Sequence, residues 1–286
     1  MTDIEPVRRS QYSEDRVTRI NPLARRLSSD LKELWEYRDV LYFLAWRDLK
    51  VRYKQTVLGV AWAALQPFAT MVIFTLIFGG LARIPSDGAP YAAFSLAGLV
   101  PWTFFSYVLT QTSNSLVNNR QLITKVYFPR IAIPFATVVS GLVDLAIAFL
   151  LLIAVMAYFS ILPTGRVIWI LPLVVMAVVT SFGVGLWLSA LNVRYRDIRY
   201  VVPFLTQFWL FATPIAYPSS LIPEPWRTVY GLNPMAGVVE GFRWALLGTA
   251  AQPSSVIFSS VIAATVIVGT GTWYFRHMER HFADQV

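Results

Sequence analysis

The sequence predicts an all-α integral membrane protein with six transmembrane helices, an N-terminal amphipathic interface helix and re-entrant helices between the fifth and sixth spans. Three observations carry that expectation. Six mostly apolar windows cover residues 58–78, 92–117, 131–159, 168–190, 201–217 and 256–275, and a helix needs about 20 such residues to cross the hydrocarbon core. Of the 286 residues, 56% are hydrophobic and 14% charged, too apolar for a soluble domain. With the N-terminus inside, 20 of the 24 Lys and Arg fall on the cytoplasmic side and 4 on the far side. That asymmetry is the positive-inside pattern and gives an N-in, C-in topology.

Each window must be helical, because lipid offers no partner to an unpaired backbone N–H or C=O. Four segments follow along the chain: a polar extension over 1–30, the interface helix over 31–54, a transmembrane domain over 55–276 and a cytoplasmic tail over 277–286. Residues 1–26 lack an apolar core, so no cleavable signal peptide is expected and the first span serves as the insertion signal. Over residues 31–50, Leu31, Leu34, Trp35, Leu41, Tyr42, Ala45 and Leu49 share one face at helical spacing. A helix of this kind lies in the membrane interface. Val40, Phe43 and Leu44 fall on its polar side, as a docking surface for another protein or as membrane anchors.

Pro67 and Pro101 each predict a kink in their spans. The loop over 118–129 reads as a short helix over 120–127, ended by Pro129 and protruding on the cytoplasmic side. Beyond the fifth span, Pro218, Pro223, Pro225, Pro234 and Pro253 exclude one continuous helix. Residues 235–247 are apolar but only 13 long and hold Glu240 and Arg243, so they read as re-entrant. Trp226 and Trp244 suit the membrane interface.

Several chemistries are excluded. The net charge of +8 invites a nucleic-acid reading, but the basic residues sit beside the spans rather than in one patch. Cysteine is absent, and His277 and His281, the only histidines, lie in the tail. A thiolate or histidine metal centre within the membrane is therefore not expected. No phosphate-cradling loop, H-E-x-x-H or G-x-S-x-G occurs. The acidic residues do not cluster, which disfavours a membrane enzyme of glycan synthesis. Gly183-Val184-Gly185, inside an apolar window, reads as close helix packing.

Two features stay open at this stage. Asp144 is the one carboxylate deep within a span. It reads as an interhelical hydrogen-bonding group, or as the carrier group of an ion- or proton-coupled small-solute carrier. Aromatic residues cluster at Trp102, Phe104, Phe105 and Tyr107, and again at Phe204, Phe208, Trp209, Phe211 and Tyr217. Such rings pack in cores, face lipid, or stack on the C–H faces of sugars.

Several motifs, in order, carry a resemblance. Arg47-Asp48-Leu49-Lys50-Val51-Arg52-Tyr53-Lys54, Leu58-Gly59-Val60-Ala61-Trp62 and Gln66-Pro67 come first. They are followed by Gly98-Leu99-Val100-Pro101-Trp102 and Leu122-Ile123-Thr124-Lys125-Val126-Tyr127-Phe128-Pro129-Arg130. Leu191-Asn192-Val193-Arg194-Tyr195-Arg196-Asp197 and Leu232-Asn233-Pro234-Met235 complete the set. Over residues 31–275 the chain resembles ABC-2 type permeases, and most of all the branch that exports lipopolysaccharide O-antigen, with capsule and teichoic-acid permeases as near relatives.

The resemblance implies a bacterial inner-membrane permease that is not itself an enzyme. Two copies would pair with two copies of a separate ATPase subunit, which would hold the ATP and Mg; this chain would carry no cofactor. The cargo would be a polyprenyl-diphosphate-linked polysaccharide, and lipids would surround the permease. ATPase coupling would fall to Asn119, Arg120, Gln121, Leu122, Thr124 and Lys125, joined by Val40, Phe43 and Leu44. Trp102, Phe105, Tyr107, Phe208, Trp209 and Tyr217 would line the glycan path. Arg47, Lys50, Arg52 and Lys54 would receive the diphosphate or lipid headgroups. Pro223, Trp226, Glu240 and Arg243 would belong to the outer gate. The extension over 1–30 has no role in this scheme.

Overall fold

A computed structural model describes residues 35–54, 59–125, 128–223, 226–248 and 254–279, and all regular structure among them is helical. The extension over 1–30 and most of the tail lie outside the described residues. The tail boundary at 277 falls inside the last helix, which continues to Glu279.

Helix α1 (Arg38–Lys54) is followed by α2 (Ala61–Phe74), which runs on as a wider π-wound stretch, Thr75–Leu81. The long α3 (Tyr91–Asn118) leads into the short α4 (Arg120–Lys125). Next come α5 (Ala132–Tyr158) and, after a 3-10 turn at Gly165–Trp169, α6 (Ile170–Arg194). Helices α7 (Ile198–Ala212), α8 (Trp226–Tyr230), α9 (Pro234–Leu247) and α10 (Ser254–Glu279) complete the chain.

Five of these helices are long and apolar enough to cross a membrane: Ala61–Leu81, Tyr91–Asn118, Ala132–Tyr158, Gly165–Arg194 and Ser254–Glu279. They coincide with five of the six apolar windows. The remaining window, 201–217, folds differently. Its helix α7 has 15 residues, about 22 Å at helical rise, and then gives way to extended backbone at Thr213. Neither proline breaks its helix: Pro67 and Pro101 sit inside continuous α2 and α3. The irregular winding comes instead at Thr75–Leu81, where bonds reach one residue further than in an α-helix.

Helix α3 is the hub. In its window 78% of residues are buried, against 17% for α2, so the bundle closes around α3 and leaves α2 at the margin. Small residues let the helices approach. A Cβ on Gly185 would meet Thr112 of α3 at 2.6 Å, and one on Gly271 of α10 would meet the Gly183 carbonyl of α6 at 2.3 Å. The glycine pair therefore serves close packing on two sides. Polar side chains stitch the same helices: Thr112 and Thr137 hydroxyls lie 2.6 Å apart, and Asn192 Nδ2 donates to the Ser113 carbonyl at 2.9 Å.

Helix α1 departs from the amphipathic pattern read from the sequence. Its buried residues are Leu44 and Ala45, while Tyr42 stands 71% exposed. Leu44 packs in a cluster with Ala132, Ile133 and Ala136 of α5 and Phe275 and Met278 of α10. Protein neighbours, not a lipid surface, choose the face that α1 buries.

Replacing Gly271 by Val should therefore force α6 and α10 apart, at a cost of about 1–3 kcal/mol. Thermal unfolding of the detergent-solubilised protein would read this as a lowered midpoint. Gly269→Ala, where a Cβ meets nothing within 4 Å, should leave the midpoint unchanged or slightly raised.

Candidate functional site

Four groups of residues stand out, and they occupy different levels of the bundle. At the end where α3 gives way to α4, Arg120, Gln121, Thr124 and Lys125 are all exposed. Leu122 turns inward and packs with Ile123 against the cluster that holds Leu44. Asn119 closes α3, its amide donating to the Ser115 carbonyl at 2.8 Å. On the neighbouring α1, Phe43 is 61% exposed and Val40 is half-buried. Leu44, at 1% exposure, is sealed inside and presents nothing to a partner. Its place in the expected docking surface is corrected by the packing of α1 on α5.

The basic residues of α1 divide as well. Lys50 and Lys54 are exposed, and Arg47 bonds Asp48 at 2.8 Å. Arg52 donates to Asp144 Oδ2, while the Tyr53 hydroxyl donates to Asp144 Oδ1. The Arg52 guanidinium also lies 4.2 Å from the centre of the Tyr107 ring. Burial, and then the Asp144 carboxylate, push the Tyr53 phenol well above its ordinary range, so it stays protonated and donates to Asp144. The partners of Asp144 thus come from α1, a helix outside the apolar windows.

The expected glycan-path aromatics do not share one surface. Trp102 and Phe105 are closed inside the core, 5.3 Å apart, and Phe105 meets Trp209 edge-on at 5.0 Å. Trp102 and Phe105 lie on a covered face of α3 and pack in the core, while Thr103, Tyr107, Thr110 and Asn114 on another face are only half-buried. Trp209 is half-buried and Nε1 donates to Asn233 Oδ1 at 2.9 Å. Tyr217 bonds the Tyr230 hydroxyl at 2.7 Å. Burial, and then that bond, push the Tyr230 phenol far up. Phe208 does face outward, and it has company. Tyr200, Phe204, Phe208 and Phe211 are 70%, 72%, 65% and 61% exposed. Their spacing of four, four and three residues puts them in one stripe along α7. That spacing is visible in the sequence and would have found the stripe. At its start, Arg194, Arg196 and Arg199 are exposed, with Arg199 stacked 4.8 Å from the Tyr200 ring.

The opposite end of the bundle is organised by Arg243. This side chain is 1% exposed and spends its donors on carbonyls of two segments, the start of α3 and the loop after α7. Nε donates to Phe94 at 3.2 Å, Nη1 to Pro214 at 2.6 Å and Nη2 to Ile215 at 2.7 Å. Nη1 also reaches Glu240 Oε1 at 3.1 Å, and that oxygen accepts from the Ser219 amide at 3.2 Å. Gly98 leaves room for the guanidinium, since a Cβ there would sit 3.1 Å from Nη2. Glu240 and Arg243 are thus an internal brace rather than an exposed gate surface. Nearby, Trp226 is 65% exposed and borders an open cavity of about 400 Å³ together with Trp209, Val229 and Tyr230. Pro223 is exposed beside it.

Comparison with known proteins gives consistent matches. Residues 39–247 match the family described as ABC-2 type transporter. The chain is 30% identical to the O-antigen export system permease protein RfbA of Myxococcus xanthus over 260 residues, covering 90% of this chain and 98% of that one. It is 28% identical to the protein of the same name from Klebsiella pneumoniae, over 86% of this chain and 94% of the relative. The polysialic acid transport protein KpsM of Escherichia coli is 27% identical over 70% of this chain and 78% of its own.

Arg243→Met should cost about 3–5 kcal/mol, because it strips the donors from buried carbonyls and leaves Glu240 uncompensated. A thermal-unfolding series would check this. Joining it to Glu240→Gln should recover part of the loss, since the buried charge is then gone as well.

Proposed function

The chain belongs to the ABC-2 type transporter family, and from that membership we infer that it is the permease subunit of a polysaccharide exporter in the bacterial inner membrane. One observation carries the reading: the match to an O-antigen export permease extends over 98% of that relative's length. The cargo is a lipid-linked polysaccharide of the O-antigen class, joined through a diphosphate to a polyprenyl carrier. Two copies of the chain form the conduit, and two copies of a separate ATPase bind ATP and Mg and supply the work.

The geometry fits this division of labour. In this reading α7 and the turns over 213–217 together make a sixth crossing, and α8 and α9 re-enter at the outer face. Both termini lie on the cytoplasmic side. The exposed residues of α4, with Phe43 and Val40 of α1, receive the ATPase. Lys50, Lys54, Arg194, Arg196 and Arg199 draw the anionic diphosphate. The exposed rings Tyr200, Phe204, Phe208 and Phe211 offer flat faces to successive sugars, attractive without deep wells. The solute-carrier alternative needs Asp144 available to a proton or cation, and its carboxylate is already held by Arg52 and Tyr53.

The test is to purify the permease with its ATPase, reconstitute the pair in vesicles and measure ATP-dependent glycan export. Phe204→Ala with Phe208→Ala should lower export about tenfold, the scale of losing two aromatic contacts. Phe258→Ala, on an exposed face of α10, should stay near wild type. Equal export by all forms would remove the stripe from the path; no ATP-dependent export by the wild type would end the exporter reading. Gln121→Ala with Lys125→Ala, both exposed, should reduce export while leaving the thermal midpoint within about 0.5 kcal/mol of wild type.

A further inference from the structure

Asp144 is buried, and both its oxygens are taken by consecutive residues of one helix, Arg52 on Oδ2 and Tyr53 on Oδ1. Neighbouring residues on a helix project about 100° apart. Both can reach a single carboxylate only when α1 lies close beside α5 in one rotation and one lengthwise register. A third helix closes the arrangement. Tyr107 of α3 lies beneath the Arg52 guanidinium at 4.2 Å, and its hydroxyl is 3.4 Å from Ser140 Oγ. Ser140 and Asp144 are four residues apart and so share a face of α5. Between them Gly141 lets α3 come near: a Cβ there would meet Val108 at 2.8 Å and Tyr107 at 3.2 Å.

The node also lies deep. Asp144 is twelve residues beyond Ala132, where α5 begins, or about 18 Å along the helix. Helix α1 therefore follows α5 inward instead of touching only its mouth. Among the described residues α1 is also held by the apolar contact of Leu44 and Ala45, with Val40 and Leu41 packed beside them. Apolar contacts are non-directional and permit sliding. The ionic node does not slide, because separating it strands a charge within a spanning segment.

We propose that the contact of Arg52 and Tyr53 with Asp144, backed by Tyr107, is the joint that carries movement of α1 into the transmembrane bundle. Asp144 is then a positioning residue for export. This rests on the exporter reading, with the ATPase bearing on α1 and α4.

The experiment uses the assembled permease–ATPase complex in vesicles and reads glycan exported per ATP hydrolysed. Asp144→Asn and Arg52→Gln should keep ATP hydrolysis within about twofold of wild type and cut export about tenfold, a change on the scale of intersite coupling. Exchanging the charges, with Arg52→Asp and Asp144→Arg together, should recover part of the loss. Tyr53→Phe removes a single hydroxyl and keeps the question open to measurement if a charged variant fails to assemble; it should lower export per ATP about threefold. Unchanged export per ATP in Tyr53→Phe and in the assembled charged variants overturns the joint and leaves the exporter reading intact. Export and hydrolysis falling in equal proportion also overturns it, because that marks a structural role only. A wild-type complex without ATP-dependent export overturns both.

Discussion

A chain that leaves its helix within apolar surroundings carries carbonyls with no helical donor, and the organisation of one end of this protein follows from how Arg243 meets that need. Helix α7 ends at Ala212, and the next carbonyls to turn inward, at Pro214 and Ile215, accept from the guanidinium. A planar group with five N–H donors is the one side chain able to serve so many acceptors at once. Its third anchor, the Phe94 carbonyl near the start of α3, ties the same point to the hub of the bundle. Glu240 balances the charge and reaches the Ser219 amide, so the loop beyond α7 is held from both sides.

That brace has consequences along α7. Helix α7 packs through Val202, Thr206 and Trp209 and is braced beyond its far end, and the four-ring stripe occupies the side left uncovered. The aromatic residues on α3 had the opposite fate. Trp102 and Phe105 belong to the most enclosed of the spanning-length helices, so their rings fill the core and help seat Trp209. Aromatic content alone does not separate these roles; the burial of the host helix does.

Much of the fold was legible in the sequence, and the exceptions have physical causes. Apolar windows report lipid compatibility, so five of them mark spanning-length helices to within a few residues. A window does not report where winding stops, and hence α7 came out shorter than its apolar run. The close approach of helices at Gly183 and Gly185 was legible, because small residues in an apolar helix have few other uses. The partner of Asp144 was not, since Arg52 is 92 positions away and lies on a helix outside the spans. Leu44 was misplaced for a related reason: periodicity identifies a polar side, but tertiary contact decides which side is covered. The lysines of α1 and the exposed residues of α4 lie on surfaces, where local chemistry and position can be read directly.

The crossing at Gly183 and Gly271 brings two backbones together with no side chain between them. A contact of bare main chain has no rotamers to shuffle and no slack to take up. Helices α6 and α10 must then behave as a single rigid plank, with α3 clamped to it through Gly185 and Thr112. Whatever cycle of shapes the protein goes through, these two helices travel together, and any rearrangement falls on contacts elsewhere in the bundle.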